Sequence, residues 1–203
     1  MAVADHQTAG RGRLGRTWSA PAGSSLLASV LLRPHGLEPD RRHLVTAALA
    51  LSAACACAEV AGLTPDLKWP NDLVVSDRKL AGVLAEVEGD AVVVGIGVNV
   101  TDDGLPPGAT ALELESGRAV DRDLLLERLL ADLGGRYGDW DEVAISYRRS
   151  CSTVGRLVRV ELSDETLTGR AVDVSPEGHL VVDVGVCLRT VAAGDVVHLR
   201  PVS

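Results

Sequence analysis

The sequence contains no phenylalanine, and its 203 residues include three tryptophans and two tyrosines as their other large aromatic side chains. A core without such rings must be built from Val, Leu and Ala, and a chain of this length can still bury enough of them to fold. Because large rings are scarce, we expect each tryptophan to have a specific structural or functional role. The three are Trp18, Trp69 and Trp140.

Cysteine pairs and histidine clusters at metal-ligand spacing are also lacking. Cys55, Cys57, Cys151 and Cys187 form no C-x-x-C pair, and the five histidines show no ligand spacing, so we predict no His/Cys metal site. Free buried thiols are typical of a reducing compartment, and we expect a cytoplasmic protein. The apolar run 44–58 falls short of the roughly 20 residues that span a bilayer, and no signal-peptide pattern is present.

Positive charge is in deficit, because 20 Lys and Arg face 28 Asp and Glu, which gives a formal net charge of −8. Nucleic acids and anionic membranes bind basic surfaces, so this balance argues against both as partners. Apolar residues make up 46% of the chain and charged residues 24%, which excludes the disordered and low-complexity classes.

Local patterns predict that the chain changes in character near residues 150–153. Before this point helices and strands alternate, and after it five short strands are separated by turn signals such as Ser163-Asp164, which is typical of a small barrel. The predicted strands are 26–33, 67–69, 79–87, 91–100, 155–162, 167–174, 179–184, 187–191 and 196–199. The predicted helices are 39–61, a helix capped by Asp121 that runs through Leu133, and 140–149.

Positions 10–15 read Gly-Arg-Gly-Arg-Leu-Gly and match the G-x-G-x-x-G pattern of dinucleotide-binding loops by letter. That interpretation requires a helix at the third glycine, whereas Arg-Thr-Trp-Ser-Ala-Pro at positions 16–21 predicts a loop. Arg11, Arg13 and Arg16 lie between or beside the glycines. Guanidinium groups bind phosphate and carboxylate through paired hydrogen bonds, so we favour anion binding over a solvated basic loop in this acidic chain.

Three further segments each allow a functional and a purely structural interpretation. Lys-Trp-Pro-Asn-Asp at 68–72 predicts a stiff turn that presents polar groups beside a ring, or a plain turn with a buried tryptophan. Lys-Leu-Ala-Gly at 79–82 carries either a positioned cation or an edge lysine, and Gly82 indicates a bulge or a close ligand. Gly-Ile-Gly-Val-Asn-Val at 95–100 predicts either a tightly packed strand or a floor for a flat ligand.

Together and in this order, the four segments resemble those of the biotin protein ligases. The resemblance covers most of the chain and implies an α+β fold with a mixed sheet flanked by helices, similar to class II synthetases, over residues 1–150. It implies an SH3-like β-barrel over residues 151–203. It also implies that the protein joins biotin to ATP as biotinyl-5′-AMP, with Mg²⁺, and passes the biotinyl group to a lysine of a biotin carboxyl carrier protein.

The same resemblance implies the site residues. The contacts to biotin or the adenylate would be made by Gln7, Arg11, Gly12, Arg13, Lys79 and Gly82, and those to the nucleotide and its phosphates by Arg13, Arg16, Trp69 and Asn99. Lys79, Arg13 and Asp72 would be catalytic, with Asp72 near the phosphates and Mg²⁺. Fixed cations are needed there because a carboxylate that attacks the α-phosphate of ATP brings two anions together.

The sequence departs from the family pattern at its start. The family has a Ser/Thr-rich biotin-binding segment upstream of position 1, so we expect the N-terminal part of the catalytic domain to be missing, through a mis-assigned start codon. We expect no N-terminal DNA-binding domain, and we expect a monomer or homodimer that binds neither nucleic acid nor membrane.

Two other functions remain open at this point. The chain would be a lipoate- or octanoate-handling transferase of the same superfamily, or an inactive fragment that binds carrier protein without chemistry. Competition between biotin and octanoate for binding distinguishes the first alternative from a biotin ligase. Carrier binding without adenylation identifies the second.

Overall fold

The computed structural model describes residues 1–162, 164–192 and 194–199; Ser163, from a predicted turn, and residues 200–203, from the predicted C-terminal domain, lie outside this part. The strands are β1 Ala2–Ala4, β2 Ser25–Leu32, β3 Asp66–Lys68, β4 Asp72–Val75, β5 Arg78–Glu88, β6 Ala91–Asn99, β7 Leu157–Glu161, β8 Thr166–Val174, β9 Leu180–Asp183, β10 Leu188–Val191 and β11 Asp195–His198. The helices are α1 His43–Ala61, α2 Leu112–Ser116, α3 Arg122–Arg136 and α4 Trp140–Ser150.

The first six strands form one sheet in the order β1-β2-β6-β5-β4-β3. Neighbouring strands in it are antiparallel, and the parallel pairing among the described residues is confined to two isolated bridges, Leu67 with Cys151 and Lys79 with Ala109. Helix α1 packs on this sheet and is itself covered by α3 and α4. The predicted α+β class, a sheet flanked by helices, is confirmed.

The two faces of this sheet differ because side chains alternate along each strand. Val92, Val94, Ile96 and Val98 of β6 belong to the apolar core. The residues between them include Gly95 and Gly97, which line a cavity on the opposite face. One face therefore packs on helices, and the other is left with little side-chain bulk.

Helix α1 is buried almost all round, since it lies between the sheet and two other helices. Its predicted end is confirmed by Gly62, which has a φ of 65° and donates its N–H to the carbonyl of Ala58. Its predicted beginning at Pro39 is wrong by one turn: Pro39–Arg41 is a 3-10 turn, and α1 begins at His43. An i to i+3 bond from Arg42 N to Pro39 O closes that tighter turn first.

The segment Pro39–Ala61 is long and apolar enough, by length and composition, to cross a bilayer, contrary to the estimate from the apolar run alone. In the structure 67% of its 18-residue apolar window is buried inside the protein, and core helices meet the same criterion. The segment is therefore weak evidence for membrane insertion.

Other predictions for the first 150 residues are confirmed within one to three residues. The carboxylate of Asp121 accepts hydrogen bonds from Asp123 N and Leu124 N and caps α3, and β5 and β6 form the predicted hairpin with Glu88 opposite Ala91. Strand β4 and helix α2 were not predicted. Both are short, and both lie beside turn signals that mask their own patterns.

The last five strands form a second sheet in the order β10-β9-β8-β7-β11, and all five were predicted. Their alternation buries one face, as in β7, where Val158 and Val160 are buried and their neighbours are not. These residues belong to the apolar core, as do Leu180 and Val182. In a small barrel, inward-facing residues alternate with outward-facing ones in the same way.

Residues 151–153 join the two sheets. Ser152 N donates to Leu67 O over 2.8 Å, so the connecting segment runs beside β3. The indole Nε1 of Trp69 donates to Gly178 O over 2.8 Å, which ties the turn after β3 to the β8–β9 hairpin.

Candidate active site

Strand register places five residues, one from each of five neighbouring strands, in one row across the first sheet. Leu27 pairs with Gly97, Gly97 with Gly82, Gly82 with Asp72, and Asp72 with Lys68. Paired residues point to the same face of a sheet. The row therefore begins with an apolar floor, made of Leu27 and two glycines, and ends with the carboxylate of Asp72 and the amine of Lys68.

The ring of Trp18 lies over the glycine part of this row. A Cβ on Gly97 would be 2.6 Å from Cε2 of Trp18, and a Cβ on Gly82 would be 3.4 Å from its Cζ3. Only glycine therefore permits this approach of the ring to the sheet. The structural and the functional interpretations of the 95–100 segment are both correct in part, because the strand is tightly packed and also forms a floor.

A cavity of about 290 Å³ lies on the apolar side of Trp18, and its lining includes Gln7, Leu27, Gly95 and Gly97. A second cavity of about 260 Å³ lies on its other side and is lined by charged groups, among them Arg13, Arg16, Lys68, Asp72 and Lys79. Trp18, Arg11 and Gly82 border both. The arrangement gives one compartment for an apolar ligand and an adjoining one for an anion.

The loop between β1 and β2 covers both cavities and is not a dinucleotide-binding turn. Arg13–Gly15 form a single 3-10 turn, and Arg16 follows in an extended conformation with a ψ of 152°. Gly12 N donates to Arg16 O over 2.7 Å, and Trp18 N donates to Gly10 O over 3.0 Å. No helix begins at the third glycine, as predicted, so the anion-binding interpretation remains.

Each arginine of this loop has an acceptor. Arg11 is largely exposed and pairs with Glu86 at 3.2 Å. Arg13 is half-buried and donates through Nη1 to Asn71 Oδ1 at 3.3 Å and to Gly194 O at 3.4 Å, while Arg16 pairs with Asp195 of β11. The loop is thus held by the second sheet as well as by the first.

Burial lowers the pKa of Arg13, and the neighbouring Asp72 opposes this effect. A half-buried guanidinium group interacts strongly with any anion that enters the cavity, because little solvent screens its charge. Arg13 is therefore the loop cation best placed to bind a phosphate.

Lys79 reaches the same cavity through an irregularity in β5. Partner positions on β4 advance from Leu73 to Val74 while those on β5 step from Ala81 to Lys79, so Leu80 is the extra residue of a bulge. Lys79 Nζ lies 2.6 Å from Asp72 Oδ1 and 5.8 Å from the centre of the Trp18 ring. The bulge anticipated at Gly82 is present two residues earlier, and it directs the lysine towards the site.

Two predicted nucleotide contacts have other partners in the structure. Asn99 is buried and donates through Nδ2 to Thr110 O at 3.0 Å and to Lys79 O at 3.5 Å, which fixes the 101–110 loop and the backbone of Lys79. Trp69 is 2% exposed and packs in the core. A part of its surface borders the charged cavity.

The remaining predicted residues lie around the loop. Gln7 is exposed at the edge of the apolar cavity, and Gly12 borders the charged cavity. A Cβ on Gly82 would lie 3.1 Å from Lys79 Nζ. Nine of the ten predicted site residues thus border one or both of the two cavities, whereas Asn99 borders neither.

Three residues at the site were missed in the sequence. Asn71 accepts from Arg13 and donates through Nδ2 to Val83 O at 2.6 Å. Asp195 pairs with Arg16 from a strand 179 positions away, which no local pattern reveals. Lys68 had a signal: the chain contains two lysines, Lys68 and Lys79, and both border the charged cavity.

Among the described residues no three His, Cys, Asp or Glu side chains cluster as ligands for a metal ion. Asp72 supplies a carboxylate to the charged cavity, which Glu161 and Asp195 also border from the second sheet. Mg²⁺ commonly binds through one or two carboxylates together with substrate phosphates and water. The residues present therefore fit a Mg²⁺ ion that arrives with phosphates, and not one held by the protein alone.

Comparisons with known proteins identify the family of the chain. The model of the Biotin/lipoate A/B protein ligase family matches residues 1–101, and that of the Biotin protein ligase C terminal domain matches residues 153–199. The chain is 39% identical over 208 residues to the biotin–[acetyl-CoA-carboxylase] ligase of Mycobacterium tuberculosis, covering 98% of this chain and 78% of the relative.

Two further relatives extend the comparison. The bifunctional ligase/repressor BirA of Bacillus subtilis is 28% identical, and the match covers 97% of this chain but 65% of that protein. The structure of the biotin protein ligase of Aquifex aeolicus in complex with biotin and ATP aligns with a TM-score of 0.82 at 30% identity, covering 98% of this chain and 88% of the other. The chain therefore belongs to the biotin protein ligase family.

Proposed function

We infer that the protein is an ATP-dependent ligase that forms biotinyl-5′-AMP and transfers the biotinyl group to a lysine of a biotin carboxyl carrier protein. The observation that carries this inference is the row from Leu27 to Lys68, which joins a bare apolar floor to a cluster of cations at Asp72. A ligand with an apolar ring system and a terminal carboxylate matches this order. The named relatives support the same activity.

In the first reaction the biotin carboxylate attacks the α-phosphate of ATP, and pyrophosphate leaves. Arg13 and Lys79 would stabilise the charge that develops between the two anions, and Arg16 would bind phosphate once Asp195 releases it. Asn71 supports this role, because its side chain holds Arg13 against β5. Mg²⁺ bound near Asp72 would neutralise phosphate charge.

In the second reaction the carrier lysine attacks the carbonyl carbon of the adenylate, and AMP leaves. Asp72 would accept or orient the proton of the incoming amine, and its partner Lys79, whose Nζ lies 2.6 Å from Oδ1, holds that carboxylate in place. The loop 8–21 covers the cavities and would shield the mixed anhydride from water until the carrier arrives.

We assign the catalytic domain to residues 1–150 and the C-terminal barrel domain to residues 151–203. The end of α4 at Ser150 and the division of strands between the two sheets support this boundary. The net charge of −8 supports a protein substrate over nucleic acid or membrane. We place the enzyme in the cytoplasm, since its four cysteines are free thiols. That it is a monomer or homodimer stays a prediction.

The test is transfer of radiolabelled biotin to a purified carrier domain, with ATP and Mg²⁺ present or withheld. Label on the carrier only when ATP is supplied supports the proposal, whereas no label with all substrates present contradicts it. Carrier binding without formation of the adenylate would identify a binding protein instead. Octanoate that stabilises the protein in a thermal-shift assay more than biotin does would favour a lipoate-type transferase, which the C-terminal match over 153–199 disfavours.

A further inference from the structure

A chain of hydrogen bonds connects β11 to the turn 69–72, which carries Asn71 and Asp72. Thr153 Oγ1 accepts from the backbone N–H of Trp69 at 3.1 Å, and His198 Nε2 lies 3.0 Å from the same oxygen. The other ring nitrogen, Nδ1, lies 3.2 Å from Asp77 Oδ1. Thr153 is fully buried, and the side chain of His198 is 7% exposed.

The direction of each bond follows from the groups present. The Trp69 N–H can only donate, so the hydroxyl proton of Thr153 is free for His198 Nε2. His198 then carries its proton on Nδ1 and donates it to Asp77. One neutral tautomer of His198 therefore satisfies every member of the chain.

The Asp77 end of this hydrogen-bond chain is held by a turn with a strained backbone conformation. Ser76 and Asp77 form the turn between β4 and β5 with φ values of 51° and 63°, which non-glycine residues rarely adopt. Arg156 Nη1 holds both oxygens of Asp77, at 2.8 and 3.1 Å. Such a conformation persists where contacts fix it, and here the contacts aim the carboxylate at His198.

The Trp69 end of the hydrogen-bond chain lies next to the residues that contact the site cations. Asn71 and Asp72 follow Trp69 after one proline, and they hold Arg13 at 3.3 Å and Lys79 at 2.6 Å. A shift of the backbone at Trp69 therefore moves the partners of both cations.

We propose that His198 is a positioning residue for adenylate formation: through Thr153 it fixes the backbone at Trp69, and with it Asn71 against Arg13. The proposal rests on the proposed function. It gives the C-terminal sheet a defined role in the chemistry of the other sheet, since His198 belongs to β11. His198 acts through other groups and touches no reacting atom.

Charged groups around the ring favour the neutral form that the chain needs. Burial lowers the pKa of His198 below its ordinary value, and the nearby cations Lys68 and Arg156 act in the same direction, while Asp77 opposes them. A pKa lowered in the folded state means that the chain is intact at neutral pH and is lost as the pH falls through that lowered value. Protonated Nε2 would present a donor to Thr153 in place of an acceptor.

The decisive comparison is Thr153→Val against Thr153→Ser, with kcat for adenylate formation and KM for biotin measured by pyrophosphate exchange. Thr153→Val keeps the shape and removes the hydroxyl, and we expect kcat to fall roughly 10-fold to 100-fold, the range for small displacements of catalytic groups. Thr153→Ser retains the hydroxyl and should restore most of kcat. KM for biotin should change about twofold at most, because the glycine floor belongs to β5 and β6 and not to this turn.

A second pair of variants covers the case in which Thr153→Val does not fold. His198→Gln offers an oxygen to Thr153, whereas His198→Ala offers nothing, so the first should retain more kcat than the second. The pH at which kcat falls on acidification should shift in His198→Gln, because the glutamine side chain does not titrate. Thr168→Val, an exposed threonine of β8, controls for a Thr-to-Val change in the same sheet.

Wild-type kcat in Thr153→Val, or equal losses in the valine and serine variants, would overturn the proposal. Absence of any adenylate from the wild-type protein would instead contradict the proposed function. In that event hydrogen exchange at the Trp69 amide decides the structural part by itself. Faster exchange in Thr153→Val than in Thr153→Ser supports the chain of bonds, and equal exchange refutes it.

Discussion

The indole of Trp18 lies directly against the backbone of Gly97, so that a Cβ on this glycine would be 2.6 Å from the ring. The contact has two consequences. It separates the apolar cavity from the charged one, and it makes the absence of a side chain at Gly97 a condition for the position of the ring.

Substitution of Gly97 by valine should therefore damage ligand binding more than folding. The new side chain must displace Trp18 and intrude on the floor, and we expect KM for biotin to rise about 10-fold or more. Biotin titration by calorimetry or steady-state kinetics measures the effect. Gly135→Ala in α3, where an added Cβ meets nothing within 4 Å, is the matched control; an unchanged KM in Gly97→Val would contradict the assignment of the floor.

Removal of either Arg13 or Lys79 from the charged cavity should slow adenylate formation. In Arg13→Ala or Lys79→Ala the developing charge at the α-phosphate loses one fixed partner, a change worth about 100-fold in rate for a comparable donor. Pyrophosphate exchange measures the first reaction separately from transfer. As a control, Arg189→Ala in β10, where Arg189 pairs with Glu165 and neither residue borders the two cavities, should react at the wild-type rate. Wild-type rates in both site variants would refute the proposed roles.

The hydrogen bond from Trp69 Nε1 to Gly178 O should stabilise the junction between the two sheets. Trp69→Phe keeps an aromatic ring but leaves the carbonyl without its donor, and we expect the free energy of unfolding to fall by about 1–2 kcal/mol. Urea denaturation followed by circular dichroism measures this change.

Trp140→Phe is a matched control for that loss. Its buried Nε1 has no hydrogen-bond partner in the part of the chain that the structure describes, so the substitution removes ring area and no bond. A loss of stability in Trp140→Phe that equals the loss in Trp69→Phe would show that ring size, and not the hydrogen bond, sets the effect.

Acidification should destabilise the protein through His43. Burial lowers the pKa of this histidine from 6.5 to about 4, against a smaller opposite effect of the Asp40 carbonyl, and with His179, Arg41 and Glu177 nearby. The unfolded chain binds this proton more readily, so stability is present above pH 6.5 and is lost as the pH falls towards 4.

The size of this effect is about 2 kcal/mol after allowance for the partial exposure of the ring. Free energies of unfolding at pH 7 and pH 4.5 measure it, and His43→Gln should show a smaller difference between the two. An equal pH dependence in wild type and His43→Gln would assign the acid sensitivity to other groups.

Much of the fold follows from local pattern. The alternation in β5 and β6 with Gly89 between them, the Asp121 cap of α3 and the Gly62 end of α1 each depend on neighbours in sequence, and each is as predicted. Strand β4 was missed because four residues after a turn signal carry too little pattern. The beginning of α1 was misplaced because Pro39 opens a 3-10 turn as readily as an α-helix.

The sequence itself determined the four motifs and the family, because each motif is a short run of neighbouring residues. The roles of Arg13, Lys79 and Asp72 stay predictions. Only the tertiary structure decided which of these residues meet. The row from Leu27 to Lys68, the bulge that turns Lys79 into the site, and the contacts of Asp195 and His198 from β11 depend on register and packing between distant segments. Long-range pairing sets these distances, and no local pattern of residues encodes it.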